Sequence, residues 1–165
     1  MKITIKYGIT TAIIIIILML IEYMMEWDKS LLMRNVGFLS LVILAVGVYY
    51  GIKSKRDNEH FGYIDYSDAL WSGLVISLWV GTITGIFSYF YSKYINPDLA
   101  NAIIKERQEL MFKMNINPEK IAKRILWLKK EYSPKGQMIS SFGASVILGF
   151  AFSLIFSVFL HRKIE

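Results

Sequence analysis

The chain of 165 residues contains no cysteine, which excludes disulfides, thiol chemistry and thiolate metal sites. Histidine occurs only twice, as His60 and His161. Neither has partners at ligand spacing, and a metal site needs convergent ligands, so none is expected. The phosphate loop of nucleotide-binding proteins, the HExxH and GxSxG motifs and the dinucleotide fingerprint are all missing. Without them no catalytic residue and no cofactor is assigned, although membrane enzymes built from scattered residues stay open. Charge is scarce as well: 19% of residues are charged, against 55% hydrophobic and 15% aromatic.

The apolar residues that fill this gap come in long blocks. A hydrocarbon core about 30 Å thick needs roughly 20 apolar residues at a helical rise of about 1.5 Å. Four blocks reach that length, at about 7–25, 33–52, 69–91 and 139–160. Each is apolar all round, which leaves no solvated face for a soluble helix. The fold expected is therefore an all-α membrane protein, one membrane domain over 1–165 with four transmembrane helices. The first block resembles a signal peptide, because Lys2 and Lys6 precede the run Ile13–Leu20. It continues past the usual length and ends in Glu22-Tyr23-Met24-Met25-Glu26-Trp27 with no small-residue cleavage site, so it reads as a retained anchor.

Orientation follows the cations at the ends of spans. Lys2, Lys6, Lys53, Lys55, Arg56, Arg162 and Lys163 fall on one side, and the short loop from Glu26 to Leu32 on the other is net acidic. Both termini are thus expected in the cytoplasm. The segment 92–137 opposes this, with ten Lys+Arg against five Asp+Glu on the outer side.

That segment has a plan of its own, an extramembrane two-helix hairpin over 97–132 inserted between the third and fourth spans. Asn96-Pro97-Asp98 combines a capping residue, proline at the first helical position and acid in the first turn. The helix it starts is expected to run to about Met114. Asn117-Pro118-Glu119 repeats the signal for a second helix to about Glu131. Its apolar residues Ile121, Ala122, Ile125, Leu128 and Tyr132 recur at three and four. Ser133-Pro134-Lys135-Gly136 then reads as a break before the fourth span. Two uses fit the hairpin. As a docking element, a face of Ile121, Lys123, Arg124, Ile125 and Trp127 would meet an acidic envelope protein or anionic headgroups, where cations gain about 1 kcal/mol each. Otherwise the two helices cover each other and their charges are solvated.

Inside the membrane the clearest pattern is steric. Span three carries Ala69, Gly73, Ser77, Gly81 and Gly85 at intervals of four. Span four carries Ser141, Ser145, Gly149, Ser153 and Ser157 at the same interval. Lipid offers no hydrophobic drive to pair helices, so close approach along small residues supplies the contact. The stripes are expected to face neighbouring helices, most simply each other. A polar path lined by these serines with Thr82 and Thr84 is the functional alternative. Glu22 is the one acid inside a span's bounds, a suspect for proton or cation coupling. It lies sixteen residues beyond Lys6, about 24 Å along a helix, which favours the outer interface.

The connection between spans two and three reads GIKSKRD (51–57), then FGYIDYSDAL (61–70) and Gly73. Lys53, Lys55 and Arg56 suit headgroups, Gly62 a tight turn, and Asp65 a cap for span three. With the INPDL entry at 95–99, the NPE start at 117–119 and a small-residue last span ending in HRK at 161–163, the chain resembles small bacterial inner-membrane proteins grouped as domain of unknown function 4199. The resemblance covers essentially the whole chain. It implies four spans with cytoplasmic termini, and carries no activity and no catalytic residue. Nucleic-acid binding is not expected, because the cations are split among segments that flank spans.

The leading expectation is a non-catalytic envelope subunit or scaffold with a docking hairpin, in contact with the lipid bilayer, a membrane or envelope partner and possible further copies of itself. A small oligomeric transporter or channel using Glu22, and an accessory to lipid or glycan processing, are the alternatives.

Overall fold

A computed structural model describes residues 2–25, 37–59 and 61–161. Six α-helices follow in order: α1 (Lys2–Met24), α2 (Gly37–Glu59), α3 (Tyr66–Phe90), α4 (Asp98–Lys113), α5 (Pro118–Glu131) and α6 (Pro134–Leu160). There is no strand among the described residues. Helices α1, α2, α3 and α6 are long and apolar enough to cross a membrane. The shorter α4 and α5 form the hairpin between the third and fourth spans.

Helix α3 is the hub and packs against α1, α2 and α6. Each of its contacts is set by a residue without bulk. A Cβ on Gly8 of α1 would lie 2.7 Å from that of Trp79, and one on Gly51 of α2 would strike Ile76 and Tyr7. Between α1 and α2, Gly47 abuts Thr11 in the same way. Larger side chains fill the centre: Leu44, Val48 and Ile52 of α2 meet Ile76 and Val80 of α3, with Ile15 of α1 beside them. The outward faces stay apolar, as in Ile17, Val42, Ile147 and Phe159, which suits lipid and not water.

Element ends differ from the sequence expectation in three places. Helix α2 continues through Lys53-Ser54-Lys55-Arg56 to Glu59, so the first part of the expected connection, 53–59, is its last two turns. Lys and Arg are good helix formers, and Asn58 Nδ2 donates to Ser54 O at 2.8 Å. Helix α3 runs on into a π-helical turn, Tyr91–Ile95, and Asn96 N–H, bound to Tyr91 O at 2.9 Å, ends that turn. Pro97 consequently takes the cap position of α4 in place of Asn96, and the helix starts one residue later than expected. The expected break at 133–136 is instead the start of α6. Ser133 caps it by accepting from Gly136 N–H at 3.1 Å, with Pro134 in the first turn. The expected start of span two at 33, the loop 26–32, His60, Arg162 and Lys163 lie outside the described residues.

Candidate functional site

The bundle leaves two places to look for function, its interior and its ends. The interior is closed along α3 and α6. Gly73 lies against Ser153, Gly149 against Ser77, and Gly81 against Ser145 and the Phe142 carbonyl. Gly85 completes the run against Met138 O and Phe142. The paired numbers fall on one helix as they rise on the other, so both stripes share a single antiparallel register. At its hairpin end Ser88 and Ser141 hydroxyls meet at 2.8 Å.

Most hydroxyls here are turned inward on their own helices. Ser77 Oγ donates to Gly73 O at 2.8 Å, Ser153 Oγ to Gly149 O at 2.7 Å, and Thr84 Oγ1 to Val80 O at 2.8 Å. A hydroxyl that gives its proton to the carbonyl four residues back needs no partner across the interface. Thr82 does the same to Leu78 O from an exposed position. Ser157 Oγ, near the end of α6, is buried with no hydrogen-bond partner among the described residues. With glycine and serine backbones in contact over four turns, the seam is packing, without room for a continuous path.

Glu22 sits half-buried on the last full turn of α1. Its neighbour Tyr23 meets the buried Tyr91 edge-on, with centroids 6.1 Å apart. Tyr89, Phe90 and Tyr94 continue this aromatic zone on α3, and Lys93 lies 5.0 Å from the Tyr94 ring centre. Aromatic rings with a lysine mark a membrane interface. Glu22 is therefore at the hairpin end of the bundle and not at its middle.

The hairpin grows from this end. Asn117 caps α5 by accepting from Glu119 N–H at 2.8 Å, and Asn115, at φ 52°, turns the chain before it. Ile103 and Ile104 of α4, with Ile121 and Leu128 of α5, are buried. Of the expected docking face, Ile121 is thus withdrawn: at 2% exposure it holds the hairpin and cannot meet a partner. Ile125, one turn on, is half-buried. Lys123, Arg124 and Trp127 do face outward, and the Arg124 guanidinium stacks 4.0 Å over the Trp127 ring. This cation–π contact holds both side chains on the wall of a groove of about 290 Å³ between α4 and α5. Leu110, Met111, Met114, Leu128 and Tyr132 line it further, with Arg107 and Glu131 as its other charged groups. Leu126, 69% exposed among lysines, was missed by the apolar periodicity because it breaks that period.

At the opposite end, Lys55 Nζ donates to Ser72 Oγ at 2.9 Å and ties α2 to α3. Arg56 Nε pairs with Asp57 at 2.7 Å. The turn after α2 places Phe61 at φ 52° and Gly62 at φ 91°, a left-handed pair that glycine accepts freely and phenylalanine does not. Gly62 N–H closes it on Arg56 O at 2.9 Å. Asp65 occupies the cap position of α3, yet its side chain makes no capping bond. Its backbone carbonyl accepts the first helical bond, from Ala69 N–H at 2.9 Å. No group of three metal-ligating side chains converges among the described residues.

Four apolar spans around a closed small-residue seam, with a helical hairpin at one end, define a multi-pass, all-helical membrane protein. Residues 6–162 match a family described as protein of unknown function, DUF4199, and the chain belongs to that family. Neither the curated proteins nor the solved structures give a match.

Proposed function

We propose that the protein is a non-catalytic membrane scaffold of a bacterial inner membrane, and that its hairpin docks a second envelope protein. The observation that carries this reading is the contrast between a bundle without a path and a hairpin with an unfilled groove. The groove presents methionines and a tryptophan held by an arginine, and outside it on α5 Leu126 stands exposed between Lys123 and Lys130. Aromatic and arginine side chains with buried apolar area are what strong protein contacts use. The lysines favour an acidic partner surface. A proton-coupled transporter of one chain is disfavoured by the closed seam and by Glu22 lying at an interface.

In the orientation proposed, both termini are cytoplasmic and the hairpin faces outward. Lys2, Lys6, Lys53, Lys55 and Arg56, all at the end opposite the hairpin, support it. An Asn101→Cys variant of this cysteine-free chain, exposed on α4 and outside the groove lining, should react with an impermeant maleimide in cells permeabilised only in the outer membrane. Reaction confined to inverted membrane vesicles would reverse the orientation.

Docking is tested by affinity capture from native membranes in mild detergent, comparing the unaltered chain with Leu126→Asp/Trp127→Ala. One partner in fixed ratio, lost with the double variant while insertion and yield persist, is the expected result. An unchanged set of captured proteins contradicts the proposal. Proton flux in vesicles that disappears with Glu22→Gln would put transport in its place.

A further inference from the structure

We propose that a groove between α2 and α6 binds one anionic phospholipid, its acyl chain along the groove and its phosphate at Lys53 and Arg56. The groove is separate from the hairpin and lies at the other end of the bundle. Its volume is about 370 Å³, within the range of small-molecule sites, about 300–1,000 Å³. Val42, Ala45, Val46 and Tyr49 of α2 form one wall, and Phe152 and Phe156 of α6 the other.

Its length suits one leaflet. From Leu41 to Tyr50 the lining covers nine helical steps, roughly 14 Å, close to half of a hydrocarbon core about 30 Å thick. Its walls suit a chain better than a helix. Apart from Leu41 and Ala45 they are β-branched or aromatic, whereas helices pair in lipid through small residues. The rings are already fixed in place: Tyr49 meets Phe156 edge-on at 5.5 Å, and Phe152 stacks on Phe156 at 6.1 Å. A slot that exists before binding saves the cost of forming it.

Charge supplies the headgroup end. Val42, Val46, Tyr49, Lys53 and Arg56 follow at spacings of four, three, four and three, so they share one face of α2. That face is apolar through the groove and cationic where it reaches the interface. Lys55 is occupied by Ser72, but Lys53 forms no ion pair among the described residues. Arg56 spends its Nε–H on Asp57, and a guanidinium has four further donors in a geometry that matches phosphate. A lysine one turn beyond the groove can extend along it to the headgroup plane.

Native mass spectrometry of the full-length protein, released from vesicles of equal phosphatidylglycerol and phosphatidylethanolamine, tests the proposal. One phosphatidylglycerol per chain is expected, retained in preference to the zwitterionic lipid. Lys53→Ala and Arg56→Gln should each lower that preference about fivefold, and Ala45→Phe, which fills the slot, should abolish retention. A photoactivatable acyl chain on phosphatidylglycerol reads the unaltered protein, whatever the variants do to folding, and should label peptides holding Tyr49 and Phe156. Equal retention of both lipids, or label spread evenly over all outward faces, makes the groove ordinary bilayer contact and overturns the proposal. A dimer blocked by Ala45→Phe would assign the groove to a second copy and overturn it too.

Discussion

The α3–α6 seam and the α4–α5 hairpin are both pairs of antiparallel helices, held by opposite means. In the seam, glycine and serine bring backbones together over four turns, and its serine and threonine hydroxyls mostly bond within their own helices. In the hairpin a few large side chains, Ile103, Ile104, Ile121 and Leu128, are buried, and a groove remains beside them. The solvent explains the difference. Lipid is as apolar as leucine, so only close contact favours pairing there. Water drives large apolar groups together and tolerates imperfect packing at the edge. The seam thus has no surface to spare, whereas the hairpin keeps apolar and cationic groups for something else.

The comparison breaks most sharply at Gly149. A leucine there would meet Ser77 at once, and overpacking of this kind costs about 3 kcal/mol. Thermal unfolding in micelles should show the loss, while Gly143→Leu, on the same helix but facing open space, should change stability by less than about 0.5 kcal/mol. Equal losses would mean that close approach is not what holds the seam. The next effect belongs to the hairpin. Ile121→Ala should weaken it by about 2 kcal/mol, with faster amide exchange over 98–131 and no change along α3 and α6. Exchange rising in both regions would make them one cooperative unit. The smallest effect sharpens the account of the hydroxyls. Ser153→Ala removes a bond made within its own helix and should cost no more than about 0.6 kcal/mol, measured in the same micelles. A larger loss would show that the hydroxyl acts across the seam.

Much of this was legible in the chain, because membrane helices announce themselves by length and their neighbours by small residues. The intervals of four at Gly73–Gly85 and Ser141–Ser157 identify a face on each helix. Their axial register, Gly73 on Ser153 and Gly149 on Ser77, is not readable, since spacing fixes a side and not a height. Asn117 and Ser133 cap the helices they precede, whereas the Asp65 side chain makes no capping bond. The π-helical turn at 91–95 escapes a period of 3.6 residues by its nature. Ile121 was assigned outward because one periodicity serves two ends: the face that could meet a partner is the face that meets α4. Leu126 and Trp127 stand off that period and carry the exposed apolar surface. The α2–α6 groove is a remainder of packing four helices and has no signature along the chain.

The central claim is that the hairpin is covered by a partner in the cell. Leu126→Cys labelling by an impermeant maleimide measures it directly, comparing native membranes with purified protein in vesicles of the same lipids. The account predicts slow labelling in native membranes and fast labelling in the partner-free vesicles. Equal rates in the two would contradict it and leave the hairpin as a solvated pair of helices.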